Sequence, residues 1–205
     1  MTYTILAISS GFIHPSLYAQ WRLRQLLLKF PEFNITFSSS VKSLQQLNKK
    51  IFHAVILYLH RQHIAPEELD ILDTFIIKGG GLLALHSASA SFKKEERYFS
   101  ILGGRFIGHG PVTTFTVEPC HTSTLLFQGI KAFSIKDELY IHKYDESNTI
   151  HFIAQKDNMT EPMVWTRHHG KGKVCYIAAG HRATTLLNTS MQAIICDGLH
   201  WVCQE

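Results

Sequence analysis

Apolar and polar positions change their spacing partway along the chain, and that change divides it in two. Residues 3–9, YTILAIS, form a short apolar run of the length of a buried strand, and 16–30 follow with Leu23, Leu26 and Leu27 on one face of a helix that Pro31 stops. FNITFS (33–38) alternates as a second strand, 41–50 carries Val41, Leu44 and Leu47 at helical spacing, and HAVILYLH (53–60) is a third apolar strand. Pro66 introduces a helix over 66–80 with Glu67 and Glu68 early, Lys78 late and Gly79 at its end. Leu82-Leu83-Ala84-Leu85 gives a fourth strand, after which His86-Ser87-Ala88 opens a new turn and FKKEERYFSIL (92–102) reads as a helix. Strand and helix in alternation predict a mostly parallel sheet with helices on both faces. After about residue 105 the spacing is that of strands joined by short turns: 112–118, 137–144, 150–156, 162–168 and 173–180, with HHGKGK as a hairpin between the last two. An amphipathic helix over 184–204 closes the chain. The whole reads as one domain, 1–205.

Composition narrows the function classes. With 205 residues, 45% of them hydrophobic and 18% charged, the chain can bury a sizeable core. Its net charge of +4 comes from scattered Lys and Arg, which argues against a nucleic-acid groove. The four cysteines, Cys120, Cys175, Cys196 and Cys203, form no CxxC pair, so neither a zinc ribbon nor a thioredoxin-type site is expected. No basic leader precedes the first apolar run and no stretch is long enough to span a bilayer, so neither signal peptide nor membrane partner is expected and the cytoplasm is the default.

Histidine is the unusual total, at 13. In an open α/β sheet, ligands bind where loops leave the carboxyl ends of the strands. His86 stands at such an end, His14 follows the first strand, His109 lies between two glycines in GGRFIGHG, and His181 follows a glycine in VCYIAAGH. KDELY adds Asp137 and Glu138. Three histidines and a carboxylate form either an acid–base set or a zinc-like site made by His86, His109 and His181. Their separations, 23 residues from His86 to His109 and 72 from His109 to His181, match no local metal motif, so only the fold can bring them together. The competing reading takes them as independent turn residues, and His86 as a core histidine bonded to backbone. His168 and His169 are read as solvated at the hairpin, while His60 and His63 flank a strand end. Ser87 beside His86 raises a serine hydrolase using His181, but the turn lacks the glycines of a nucleophile elbow, and Ser87, Ser89 or Ser91 serves equally well as a cap for the following helix.

Four stretches, GGGLLALHSA, RYFSILGGRFIGHG, KDELY and EPMVWTRHHGKGKVCYIAAGH, resemble in order and spacing the ThuA-like (trehalose utilisation) family of the class I glutamine amidotransferase-like superfamily. HTSTLLFQGI is a weaker match, with Thr122 where a proline is usual. The resemblance implies a flavodoxin-like three-layer α/β sandwich with a mostly parallel central sheet and an antiparallel C-terminal portion. It places His86 or its neighbour where true amidotransferases hold their nucleophilic cysteine, and His181 in the partner histidine's place. No cysteine lies in 79–92, so thiolate glutaminase chemistry is not expected. The resemblance further implies a role in disaccharide or keto-sugar catabolism. On that reading His86, His109, Glu138 and His181 are catalytic, Ser87, His14, Tyr140 and Trp165 bind a small sugar, and a divalent metal such as zinc is a possible cofactor. A sugar-processing hydrolase or lyase is the leading expectation. The alternatives are a non-catalytic carbohydrate-binding or regulatory protein on the same fold, and the serine hydrolase. A homodimer is the base-rate expectation for assembly.

Overall fold

The computed structural model describes residues 2–61, 63–120 and 125–204. Its first half follows the alternation read from the sequence: β1 (Tyr3–Ser10), α1 (Leu17–Leu27), β2 (Phe33–Ser38), β3 (Ala54–Leu59), α2 (Pro66–Ile77) and β4 (Gly81–Leu85). The Ser16 hydroxyl accepts the Ala19 amide at 3.2 Å, which sets the start of α1. Pro66 and Glu68 set that of α2, the Glu68 carboxylate accepting the Ala65 amide at 3.0 Å. Residues expected as a helix over 41–50 form a 3-10 helix, Val41–Asn48, of which Leu44 alone is buried.

The second half is α3 (Glu96–Leu102), β5 (Gly104–His109), β6 (Thr113–Pro119), β7 (Phe133–Asp137), β8 (Tyr140–Tyr144), β9 (Thr149–Lys156), β10 (Met159–His169), β11 (Gly172–Ile177) and α4 (Thr189–Cys203). The predicted hairpin is β10–β11, paired antiparallel from Val164↔Ile177 to His169↔Gly172. Three expectations change here. The run 137–144 is not one strand: β7 ends at Asp137 in the main sheet, and β8 begins at Tyr140 in a separate pair with β5. β5 itself is not visible in the apolar pattern, because its glycines and a register shift between Phe106 and Gly108 break the alternation. None of Ser87, Ser89 and Ser91 caps α3, whose N-terminal neighbour is Glu95; the Ser91 hydroxyl lies 3.0 Å from both the Leu59 and Ser87 carbonyl oxygens instead.

Nine strands join in the order β2-β1-β3-β4-β11-β10-β9-β6-β7. The first five are parallel and the remainder antiparallel. α4 packs on β3, β4 and β11, while α2 and α3 pack against each other and against β11, and the sheet is the middle of three layers. Every residue of β3 and β4 is buried, as expected of central strands covered on both faces. Among the described residues no helix is long and apolar enough to cross a membrane.

Candidate functional site

The five parallel strands send their carboxyl ends to one edge of the sheet, and the loops leaving β1, β4 and β11 there carry His14, His86 and His181. His14 follows β1 on a tight loop, where a β-carbon at Gly11 would lie 2.4 Å from the His14 carbonyl oxygen. His86 is the first residue beyond β4, begins the 3-10 turn His86–Ala90 and has a φ of 44°. His181 follows β11 after Gly180, whose φ of 140° suits glycine and whose missing side chain lets the His86 β-carbon approach. Glu138 enters from the other side, where the chain crosses from β7 to β8, and His109 ends β5 opposite Tyr140.

The five side chains meet around Glu138. Its Oε2 lies 3.5 Å from His86 Nε2, 3.5 Å from His181 Nδ1 and 4.0 Å from His14 Nδ1. Its Oε1 lies 3.8 Å from His109 Nδ1. The Nδ1 atoms of His14 and His181 are 3.0 Å apart. His86 is fully buried and Glu138 nearly so, His14 and His181 are partly open, and His109 is the most exposed. One ligand atom from each of His14, His86, Glu138 and His181 lies within 4.8 Å of the others, the separation of groups able to hold one metal ion. The set expected from the sequence named His109 in the place His14 takes.

A buried carboxylate holds this arrangement from below. Asp137 accepts the backbone amides of Glu138 at 2.7 Å and His181 at 3.1 Å through Oδ1, and that of Gly180 at 3.1 Å through Oδ2. It thus ties two site-bearing loops together. The Tyr58 hydroxyl donates to the Gly180 carbonyl. Beneath His86, the hydroxyls of Tyr176 and Ser89 donate to its carbonyl oxygen at 2.9 and 3.2 Å, and His142 Nε2 lies 3.1 Å from the Tyr176 hydroxyl. The sequence named Asp137 but gave no sign of this clamp, nor of Tyr58, Tyr176, Ser89 and His142 as supports, since no spacing rule links residues on separate strands.

Burial opposes charge on Glu138, but the imidazoles of His86, His181 and His109 outweigh it and hold the carboxyl below its usual range. Burial lowers His14 and His181; Glu138 acts against the shift in both, and neighbouring imidazoles add to it. The site is therefore a carboxylate surrounded by imidazoles, of which His14 and His181 are biased to the neutral form. Burial raises the Tyr140 hydroxyl, and the Tyr140 ring packs on His86 with centroids 4.1 Å apart.

Other expected site residues lie elsewhere. Trp165 is fully buried, donates its indole N–H to the Leu102 carbonyl at 2.8 Å and packs on Tyr176, so it is a core residue rather than a sugar platform. Ser87 is fully buried and its hydroxyl has no hydrogen-bond partner, so it forms no pair with His181 and the serine hydrolase arrangement is absent. His169 is not solvated: its Nε2 meets Asp73 at 2.7 Å. His168 is exposed but its ring meets Trp201 edge-on. Thr122 of the weaker match lies outside the described residues. A cavity of about 1250 Å³ opens at the opposite, amino end of the parallel strands, beside Thr166, His168, His200 and Trp201. Of the polar groups lining it, His151 meets Thr166 at 2.7 Å, and His200 meets Glu32, outside the lining, at 3.0 Å.

No curated protein sequence matches the chain. Among solved structures, a ThuA-like protein from Parabacteroides merdae superposes with a TM-score of 0.84 at 17% identity, covering 100% of this chain and 91% of that one. A ThuA-like protein from Bacteroides uniformis gives 0.82 at 14% identity, covering 98% and 91%. A cytoplasmic protein from Salmonella typhimurium LT2 gives 0.71 at 14% identity, covering 97% and 99%. At these identities the likeness is one of fold. The model of the ThuA family, described as trehalose utilisation, matches residues 4–202, and the chain belongs to that family.

Proposed function

We propose that this chain is a cytoplasmic enzyme of carbohydrate utilisation that moves protons beside the carbonyl of a keto-sugar, in the course of a hydrolase or lyase reaction. The observation supporting this reading is the convergence of four imidazoles within 4.0 Å of the Glu138 carboxylate, at the edge of the sheet where α/β proteins hold their ligands.

The two oxygens of Glu138 face different partners, which divides the work. Oε2 faces the buried His86 and the half-open His14 and His181. Oε1 faces His109, whose side chain is 37% exposed and able to exchange protons with solvent. The His109 Nδ1 lies 2.7 Å from the Gly110 carbonyl, an acceptor only, so Nδ1 carries the hydrogen. Its Nε2 then bears the lone pair of the neutral ring, the form required of a base. Glu138 and His109 are the proton-carrying pair, and the Tyr140 ring, packed against both imidazoles, limits where a sugar can enter.

The test follows a keto-disaccharide and its parent disaccharide by NMR in the presence of the purified chain. The keto form is expected to be consumed and the parent left unchanged, and His109→Gln should slow consumption by about 100-fold or more, the usual weight of one acid–base group. Equal turnover of both sugars, or an unaffected His109→Gln variant, would contradict the assignment.

A further inference from the structure

We infer that His14, His86, His181 and Glu138 form a site for one divalent transition-metal cation of the zinc class, and that His109 stays outside its coordination sphere.

Separations between the ligand atoms are the first ground. Ligands at ordinary bond lengths from a tetrahedral zinc stand about 3.3 Å from one another. Here the values are 3.0 Å for His14 Nδ1 to His181 Nδ1, 3.5 Å for both His86 Nε2 and His181 Nδ1 to Glu138 Oε2, and 4.0 Å for His14 Nδ1 to the same oxygen. These four bracket the tetrahedral edge, and all the ligand atoms of the set lie within 4.8 Å of one another.

The second ground is a shortage of hydrogens. His86 Nδ1 lies 2.8 Å from the Ala178 carbonyl oxygen, which only accepts, so the ring's hydrogen resides there and Nε2 presents a lone pair. That Nε2 and the Glu138 Oε2 facing it are both buried, and neither has a hydrogen-bond partner. Two lone-pair atoms so placed repel unless a positive centre lies between them. A proton on Nε2 would serve that pair alone and would create a buried imidazolium. The Nδ1 atoms of His14 and His181, 3.0 Å apart, either share one hydrogen as an N–H···N pair or turn both lone pairs to a common centre, and a cation shared with the His86–Glu138 pair is such a centre. The surroundings are those of a metal ligand set: a backbone carbonyl fixes the tautomer of His86, and Asp137 holds the backbones of Glu138 and His181.

Donor chemistry selects the ion. Three imidazoles and one carboxylate suit zinc and its first-row neighbours and not calcium or magnesium, which prefer all-oxygen shells. His109 faces the other Glu138 oxygen and has its Nδ1 engaged by Gly110, so it is left free. When bound, such a cation polarises a carbonyl oxygen.

Metal uptake is measured without substrate, so this inference and the sugar reading fail separately. The chelator-stripped chain is titrated with zinc against a competing chelator, and cobalt(II) is substituted and read in the visible spectrum. One equivalent should bind, with the intense bands of low-coordinate cobalt. His14→Ala, His181→Ala and Glu138→Gln should each weaken zinc binding by about 100-fold or more, while His109→Ala stays within about threefold of the wild type. Circular dichroism of each metal-free variant confirms its fold, and the wild-type cobalt spectrum decides the matter independently of any variant. Absence of uptake by the wild type, undiminished uptake by the three ligand variants, or equal losses in His109→Ala and His14→Ala would overturn the site.

Discussion

His86 combines a fully buried ring with a φ of 44°, a region that costs a residue with a β-carbon about 1–2 kcal/mol. The strain is held by Tyr176 and Ser89 on its carbonyl and by Ala178 on its ring. Replacing it with glycine or alanine removes the same ring but leaves the backbone strain only in the alanine variant. The glycine variant should therefore unfold at higher urea, by about 1 kcal/mol of stability; the reverse order would show that the turn is unstrained. His86, His109, Glu138 and His181 were legible in the sequence because each follows a strand end or glycine turn where an open sheet keeps its ligands. What the sequence could not supply was their convergence, which depends on β4 and β11 lying side by side and on the crossing from β7 to β8. His14 is expected from the sequence to bind sugar and not to join the histidines around Glu138, since nothing local ties it to His181, 167 residues away. Trp165 was misread because a large aromatic in a motif looks the same in sequence whether it serves the core or a ligand.

The elements of the first half were readable because caps, prolines and glycines punctuate them, and because β3 and β4 bury unbroken apolar runs. The small β5–β8 sheet was not, since it is short, interrupted by glycine and paired across 31 residues at His109 and Tyr140. Close packing between elements was equally hidden. A β-carbon on Gly172 would lie 2.2 Å from the Ile76 carbonyl and 2.3 Å from that of Gly80, so β11 meets the end of α2 through bare backbone. Gly172→Ala should cost about 1–3 kcal/mol in denaturant unfolding. Gly108→Ala, where a β-carbon meets nothing within 4 Å, should stay within about 0.5 kcal/mol of the wild type. Equal effects at the two positions would contradict this packing.

Across the whole molecule, two buried histidines set the response to acid. Burial, and for His142 also the neighbouring His86, lowers His142 to about 3 and His151 to about 4, against 6.5 for an exposed ring. Both are neutral in the folded chain, so their contribution is complete above pH 6.5. It is lost as pH falls toward those values, because the unfolded chain binds the protons first, by about 1.4 kcal/mol per pH unit for each ring. Urea midpoints measured from neutral pH downward should fall steeply, and His142→Gln should flatten the fall; an identical slope in the variant would show that His142 takes no part. The strongest demand falls on the site itself. In deuterated water with a keto-sugar, NMR reports the exchange of hydrogen at the carbon beside the carbonyl. The wild type should catalyse that exchange, Glu138→Gln should slow it by about 100-fold or more, and Ser87→Ala should leave it unchanged. Exchange at the wild-type rate in Glu138→Gln would contradict the assignment of Glu138 as the centre of the chemistry.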